Sequence, residues 1–119
     1  MRNLTLGLAA ALALAATAAG AHPKLLSASP APGGQAAGSP HQIRIQFNET
    51  VFAKFSGVTI RNQAGSVVKT GKAAIDPKDG RQLVVPVTGI LAPGRYKLIW
   101  HAVASDTHRV QGQYDFTVR

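Results

Sequence analysis

"LAPGRYKLIWHAVA", residues 91–104, decides how the rest of the chain is read. It opens on a Pro-Gly turn and then places Tyr96, Leu98 and Trp100 at every second position. A period of two is that of a strand with one buried face. Outward from it the pattern repeats. "HQIRIQF" (41–47) sets Ile43, Ile45 and Phe47 against Gln42, Arg44 and Gln46. "GVTIRN" (57–62) turns Val58 and Ile60 inward, and "QGQYDFTVR" (111–119) does the same with Tyr114, Phe116 and Val118. "SVVKT" follows the Ala64-Gly65 turn as a further strand, and "LLSASPAP" (25–32) is a short extended segment. "DPKDG" (76–80) has turn chemistry, and Gly33–Pro40 reads as a loop. "QLVVPV" (82–87) is a strand whose Pro86 argues for an edge or a bulge. No segment holds a helical period over three turns. The expectation is an all-β antiparallel sandwich of about seven strands.

The N-terminus has a different grammar. Met1-Arg2-Asn3 is a short cationic start, Leu8–Ala16 is an unbroken apolar run, and Ala19-Gly20-Ala21 is a small-x-small cleavage site. The run is too short for a bilayer anchor, which takes about 20 apolar residues. Residues 1–21 are expected to be a cleaved signal peptide, leaving one domain, 22–119, in the periplasm or outside the cell. The chain has no Cys, so no disulfide framework accompanies export. Its net charge is +8, yet the basic residues are spread singly from Lys24 to Arg119 with no run of three. That pattern fits a solvated surface better than a nucleic-acid footprint.

Cleavage after Ala21 makes His22 the first residue. Its α-amine and imidazole Nδ1 can then chelate one metal ion, and the amine, with a pKa near ~7.7–8.0, gives up its proton readily. Pro23 has no amide N–H, so the peptide chain cannot wrap further around the ion and the other donors must come from elsewhere. The alternative is a frayed, solvated terminus. "SDTH" supplies Asp106 and His108 at i, i+2, which face one point in an extended or turned conformation. Alone, that spacing is equally an ordinary polar turn. Joined to His22 it makes an N3O set, the tetragonal donor chemistry of Cu(II). Met1 is the only Met, so the domain offers no sulfur ligand. Glu49 in "FNET" is either a carboxylate supporting the site or a solvated strand-end residue. His101 points away from the Trp100 face and reads as a packing or surface residue, and His41 as solvated.

In this order, "HPKLLSASPAPG", "IQFNETV…FSGVTI" and "LAPGRYKLIWHAVASDTHRVQGQYDFTV" resemble the CopC copper-binding domain over essentially all of 22–119. The resemblance implies an immunoglobulin-like Greek-key sandwich or barrel. It implies one Cu(II) per chain held by His22, Asp106 and His108, with Glu49 beside the site. It further implies a copper carrier or buffer in resistance and homeostasis with a CopD-like inner-membrane protein as its partner, and the chain is expected to be a monomer. The chain departs from the family by lacking a Met-rich loop, by Pro23 where Ala is frequent, and by Arg109 where Pro is frequent. Two rival readings stand: a histidine-brace copper monooxygenase, against which a third strong ligand, Asp106, counts because catalytic metals keep an open position, and a metal-free interaction module.

Overall fold

The structure, a computed structural model, describes residues 23–119. The expected leader and His22 lie outside the described residues.

Nine strands form among the described residues: β1 (Leu25–Ser29), β2 (Gln35–Ala36), β3 (Gln42–Phe47), β4 (Gly57–Asn62), β5 (Val67–Val68), β6 (Ala74–Asp76), β7 (Asp79–Pro86), β8 (Gly94–Val103) and β9 (Arg109–Val118). They make two sheets, β1-β3-β7-β6 and β2-β9-β8-β4-β5. The inward residues alternate as a half-buried strand requires. Ile43, Ile45, Phe47, Leu83 and Val85 come from the first sheet, and Ile60, Leu98, Trp100, Phe116 and Val118 from the second, all buried. Phe47 meets Trp100 edge to face with ring centroids 5.4 Å apart, which locks the two sheets across the core. Tyr96 stacks on Phe116 at 5.6 Å, and its hydroxyl donates to the Ala92 carbonyl at 2.7 Å. That bond anchors the Pro-Gly corner leading into β8, in the manner of the tyrosine corner of immunoglobulin-like sandwiches.

Three local expectations are corrected. Gly33–Pro40 is not loop throughout, since Gln35–Ala36 pairs parallel with Thr117–Val118 at the end of β9. "DPKDG" is more than a turn: Asp76 ends β6 and Asp79 starts β7, so only two residues connect the strands. β7 is not an edge strand, because it lies between β3 and β6. Pro86 is the last residue of the strand, beyond the stretch paired with β6, and its carbonyl accepts the Gly71 N–H at 2.8 Å.

The long β8–β9 hairpin positions the site. Its ladder runs without a bulge from Gly94↔Val118 to Val103↔Arg109. Residues 104–108 therefore close the hairpin at the far end from the Pro-Gly corner, and Asp106 and His108 sit in that tip.

Candidate metal centre

Few acidic side chains are available, and most are occupied elsewhere. Asp76 accepts from the Arg44 guanidinium at 2.9 Å and from the Lys78 N–H at 2.8 Å, and the Arg44 bond holds its carboxyl below the usual carboxylate range. Arg44 also donates to Gln82, which in turn donates to Gln46, so this pair belongs to a polar network on the first sheet. Asp79 caps its own turn through the Arg81 N–H, and Asp115 pairs with Arg95 at 3.6 Å. Asp106 and Glu49 lie at the hairpin end.

The tip is tightly specified. Asp106 Oδ1 accepts the His108 N–H at 3.1 Å, and Asp106 Oδ2 lies 3.3 Å from His108 Nδ1. Between them Thr107 adopts φ 64°, the only non-glycine residue with positive φ among the described residues. A β-branched residue in the left-handed region is strained by roughly 1–3 kcal/mol. The turn is held by the Thr107 N–H donating to the Ala104 carbonyl at 2.9 Å and by the Thr107 hydroxyl donating to the Asp106 carbonyl at 2.6 Å. This kink brings side chains two residues apart onto one side. The carboxylate is mostly buried, at 18% exposure, whereas the imidazole is 72% exposed. A fixed oxygen donor and an accessible nitrogen donor about 3 Å apart match adjacent ligands of an ion with bonds of about 2.0–2.2 Å.

The first described residues, Pro23 and Lys24, are brought to the same place. Pro23 is fully buried. Lys24 is clamped by Asn48 on both sides: its N–H donates to Asn48 Oδ1 at 2.7 Å, and its carbonyl accepts the Asn48 N–H at 3.0 Å. Pro23 and Lys24 line one surface depression together with His108 and Arg109. The residue covalently joined to Pro23 is His22. No group of three His, Cys, Asp or Glu side chains assembles among the described residues; at the tip Asp106 and His108 come together as a pair.

Glu49 stands apart. The Val51↔Ala104 bridge lays its loop beside the hairpin tip, and Glu49 lines a separate depression with Ser105, Phe52 and Arg81. His41 lies at the opposite end of β3 from Asn48 and is exposed. His101 is on the outer face of β8, opposite the buried Trp100, as its position in the alternation predicts. Burial first, and the nearby Arg109 charge second, hold its imidazole below the usual range.

Sequence reasoning passed over Asn48 in favour of its neighbour Glu49. The available signal was an Asn at the end of an alternating strand, where a side-chain amide commonly ties down passing backbone. Asn48→Ala is expected to cost about 1 kcal/mol in denaturant stability. It should also speed hydrogen exchange at the Lys24 amide, whereas Asn48→Asp keeps the acceptor and the protection.

A family model described as the CopC domain matches residues 25–119. The chain is 36% identical over 99 residues to protein YobA of Escherichia coli (strain K12), covering 83% of this chain and 80% of that one. It is 34% identical over 111 residues to copper resistance protein C of Pseudomonas syringae pv. tomato, covering 89% and 87%. Among solved structures, PcoC, described as a methionine-rich copper resistance protein from Escherichia coli, matches with a TM-score of 0.73 at 35% identity. The match covers 83% of this chain and all of that one.

Proposed function

The chain belongs to the CopC domain family, and on that premise we propose that it is an exported Cu(II)-binding protein of copper resistance. In this reading residues 1–21 are removed and the protein works in the periplasm as a monomer. It carries one Cu(II) per chain to a CopD-like membrane partner. The observation that carries the reading is the convergence of Pro23 and His108 on one depression, with Asp106 held against His108 by the strained turn at Thr107.

The donors suit the divalent ion. His22 would supply its α-amine and Nδ1, His108 an imidazole nitrogen and Asp106 a carboxylate oxygen. That nitrogen-and-oxygen set is what Cu(II) prefers, whereas thioethers and thiolates select Cu(I). Residues 22–119 contain neither Met nor Cys. Asp106 also favours carriage over oxygen chemistry, because it fills a position that a catalytic copper would leave open. Capture needs the amine and imidazoles deprotonated, so protons compete with the metal. Glu49 would act from outside the ligand set, on the loop bridged to the tip.

Dialysis of the metal-stripped, processed protein against Cu(II) is expected to reach one ion per chain, with an EPR spectrum showing nitrogen hyperfine structure. Affinity should fall as pH is lowered, since the nitrogen donors bind metal only in their deprotonated form and protons compete with the ion. Uptake far below one equivalent would return the protein to a metal-free interaction module. Oxidation of a substrate by the loaded protein with a reductant would favour the histidine brace.

A further inference from the structure

Beside the hairpin tip, on the outer face of β8, lies a groove of about 590 Å³. Its apolar wall is Phe52, Phe55 and Val103, and its charged or polar groups are Lys54, His101 and Arg109. The short 3₁₀ turn Ala53–Phe55 builds the rim, tied down by the Phe52 N–H donating to the Val103 carbonyl at 2.9 Å. Ser56 secures the other side, its Oγ accepting the Val103 N–H at 3.1 Å. Phe52 and Phe55 remain 43% and 55% exposed. Two large apolar rings left in water across a single turn mark a surface that gains by being covered. Gly57, paired with His101 across β4 and β8, leaves room for the imidazole, since a Cβ there would lie 3.3 Å from Cε1.

No acidic side chain lines this groove, and both of its permanent charges are cationic. Lys54 Nζ sits 5.7 Å from the Phe55 ring centroid, so ammonium and ring already form one amphipathic rim. Pockets of 300–1,000 Å³ with an apolar lining and a few directed polar groups are of the size that holds one small organic molecule. We infer that this groove is a binding site for a free amphipathic organic anion, an aromatic or branched apolar body bearing one carboxylate. The body lies between Phe52 and Phe55, and the carboxylate meets the Arg109 guanidinium and the Lys54 ammonium. The site is distinct from the proposed copper ligands, and it stands whether or not copper binds. Arg109 lines both regions, and Thr107 of the groove lies between Asp106 and His108 in the chain.

The test uses metal-stripped protein, so that its outcome is separate from that of the copper reading. 2-Naphthoate is titrated into the ¹⁵N-labelled protein and followed by amide shifts. Saturable shifts confined to residues 52–57, 101–103 and 107–109 are expected, with a dissociation constant of about 1 mM or tighter. Phe55→Ala and Arg109→Gln, both at exposed positions, should each weaken binding about five-fold or more while leaving the rest of the spectrum in place. Three results overturn the inference. The first is no saturation by about 10 mM probe, well past the weakest binding expected of a ligand this size. The second is equal binding of neutral 2-naphthalenemethanol, which would reduce the groove to an apolar patch. The third is binding of the capped peptide Ac-Asp-Phe-Asp-NH₂ without binding of naphthoate, which would make the groove a docking face for a partner chain.

Discussion

Placing a single extra residue ahead of His22 is expected to lower Cu(II) affinity about 10³-fold, or about 4 kcal/mol. The extension leaves every side chain intact and converts one amine into an amide. An amide nitrogen is a donor only after the metal displaces its proton, so the proposed set loses its free α-amine and that amine's chelate ring in the same step. Pro23 makes the loss harder to repair, because the next peptide nitrogen carries no proton to displace. The fold should not register the change. Pro23 is buried and Lys24 is clamped to Asn48 by two hydrogen bonds, both downstream of the added residue. Thermal unfolding of the two metal-free forms is therefore expected to coincide while their Cu(II) isotherms separate and the EPR nitrogen pattern changes. Coincident isotherms would remove the α-amine from the site. His108→Ala, by contrast, removes an exposed imidazole and should weaken both forms, which distinguishes loss of the terminal donor from loss of the tip.

Alternation made the two-sheet core legible. Ile43, Ile45 and Phe47, and Tyr96, Leu98 and Trp100, have to face inward once the period is two, and the structure buries all six. What escaped the sequence was either too short or too distant to leave a pattern. Gln35–Ala36 is two residues long, and its parallel partner is the end of β9. β6 offers only Ala74–Asp76, with Ile75 as its one large apolar residue. Asp106 and His108 were legible as a pair because their spacing is local. Asn48 was not, because its partner Lys24 lies 24 residues away. The groove was illegible for another reason. Phe52 precedes and Phe55 ends a single 3₁₀ turn, too short to establish a period in the sequence, and Phe52 is tied to β8 through its N–H bond to the sequence-distant Val103 carbonyl.

Gly112→Val is expected to destabilise the protein by about 3 kcal/mol or more, against the direction that local propensity alone predicts. On an unobstructed strand, valine in place of glycine would be stabilising by up to ~1 kcal/mol through β-propensity and reduced freedom of the unfolded chain. Here Gly112 pairs with Trp100 across the hairpin, and the indole lies over its Cα. A Cβ at 112 would stand 2.5 Å from Cζ2, 2.7 Å from Cε2 and 2.8 Å from Nε1 of Trp100. The ring has no free space to enter: Trp100 is 8% exposed and packs against Phe47, which is fully buried. Relief must come from an off-rotamer indole or from separating β8 and β9. For a domain of this size a 3 kcal/mol loss lowers the melting temperature by roughly 12–24 °C, and the Trp100 near-UV signal should change with it. Adding Trp100→Leu to Gly112→Val opens the space, so the double variant should lose less than the sum of the two single changes, with a coupling of about 1 kcal/mol or more. A Gly112→Val protein at least as stable as the parent would show that the indole does not cover this glycine. The effect reaches the site through the ladder. Trp100↔Gly112 lies three pairs from Val103↔Arg109, where the hairpin closes on Asp106 and His108. Strands that part at Gly112 change the spacing at which the tip's carboxylate and imidazole are presented. Cu(II) affinity should therefore fall in Gly112→Val, and in the double variant its loss, like that of stability, should be less than the sum of the two single changes. Sub-additivity in stability without sub-additivity in affinity would separate the core from the tip.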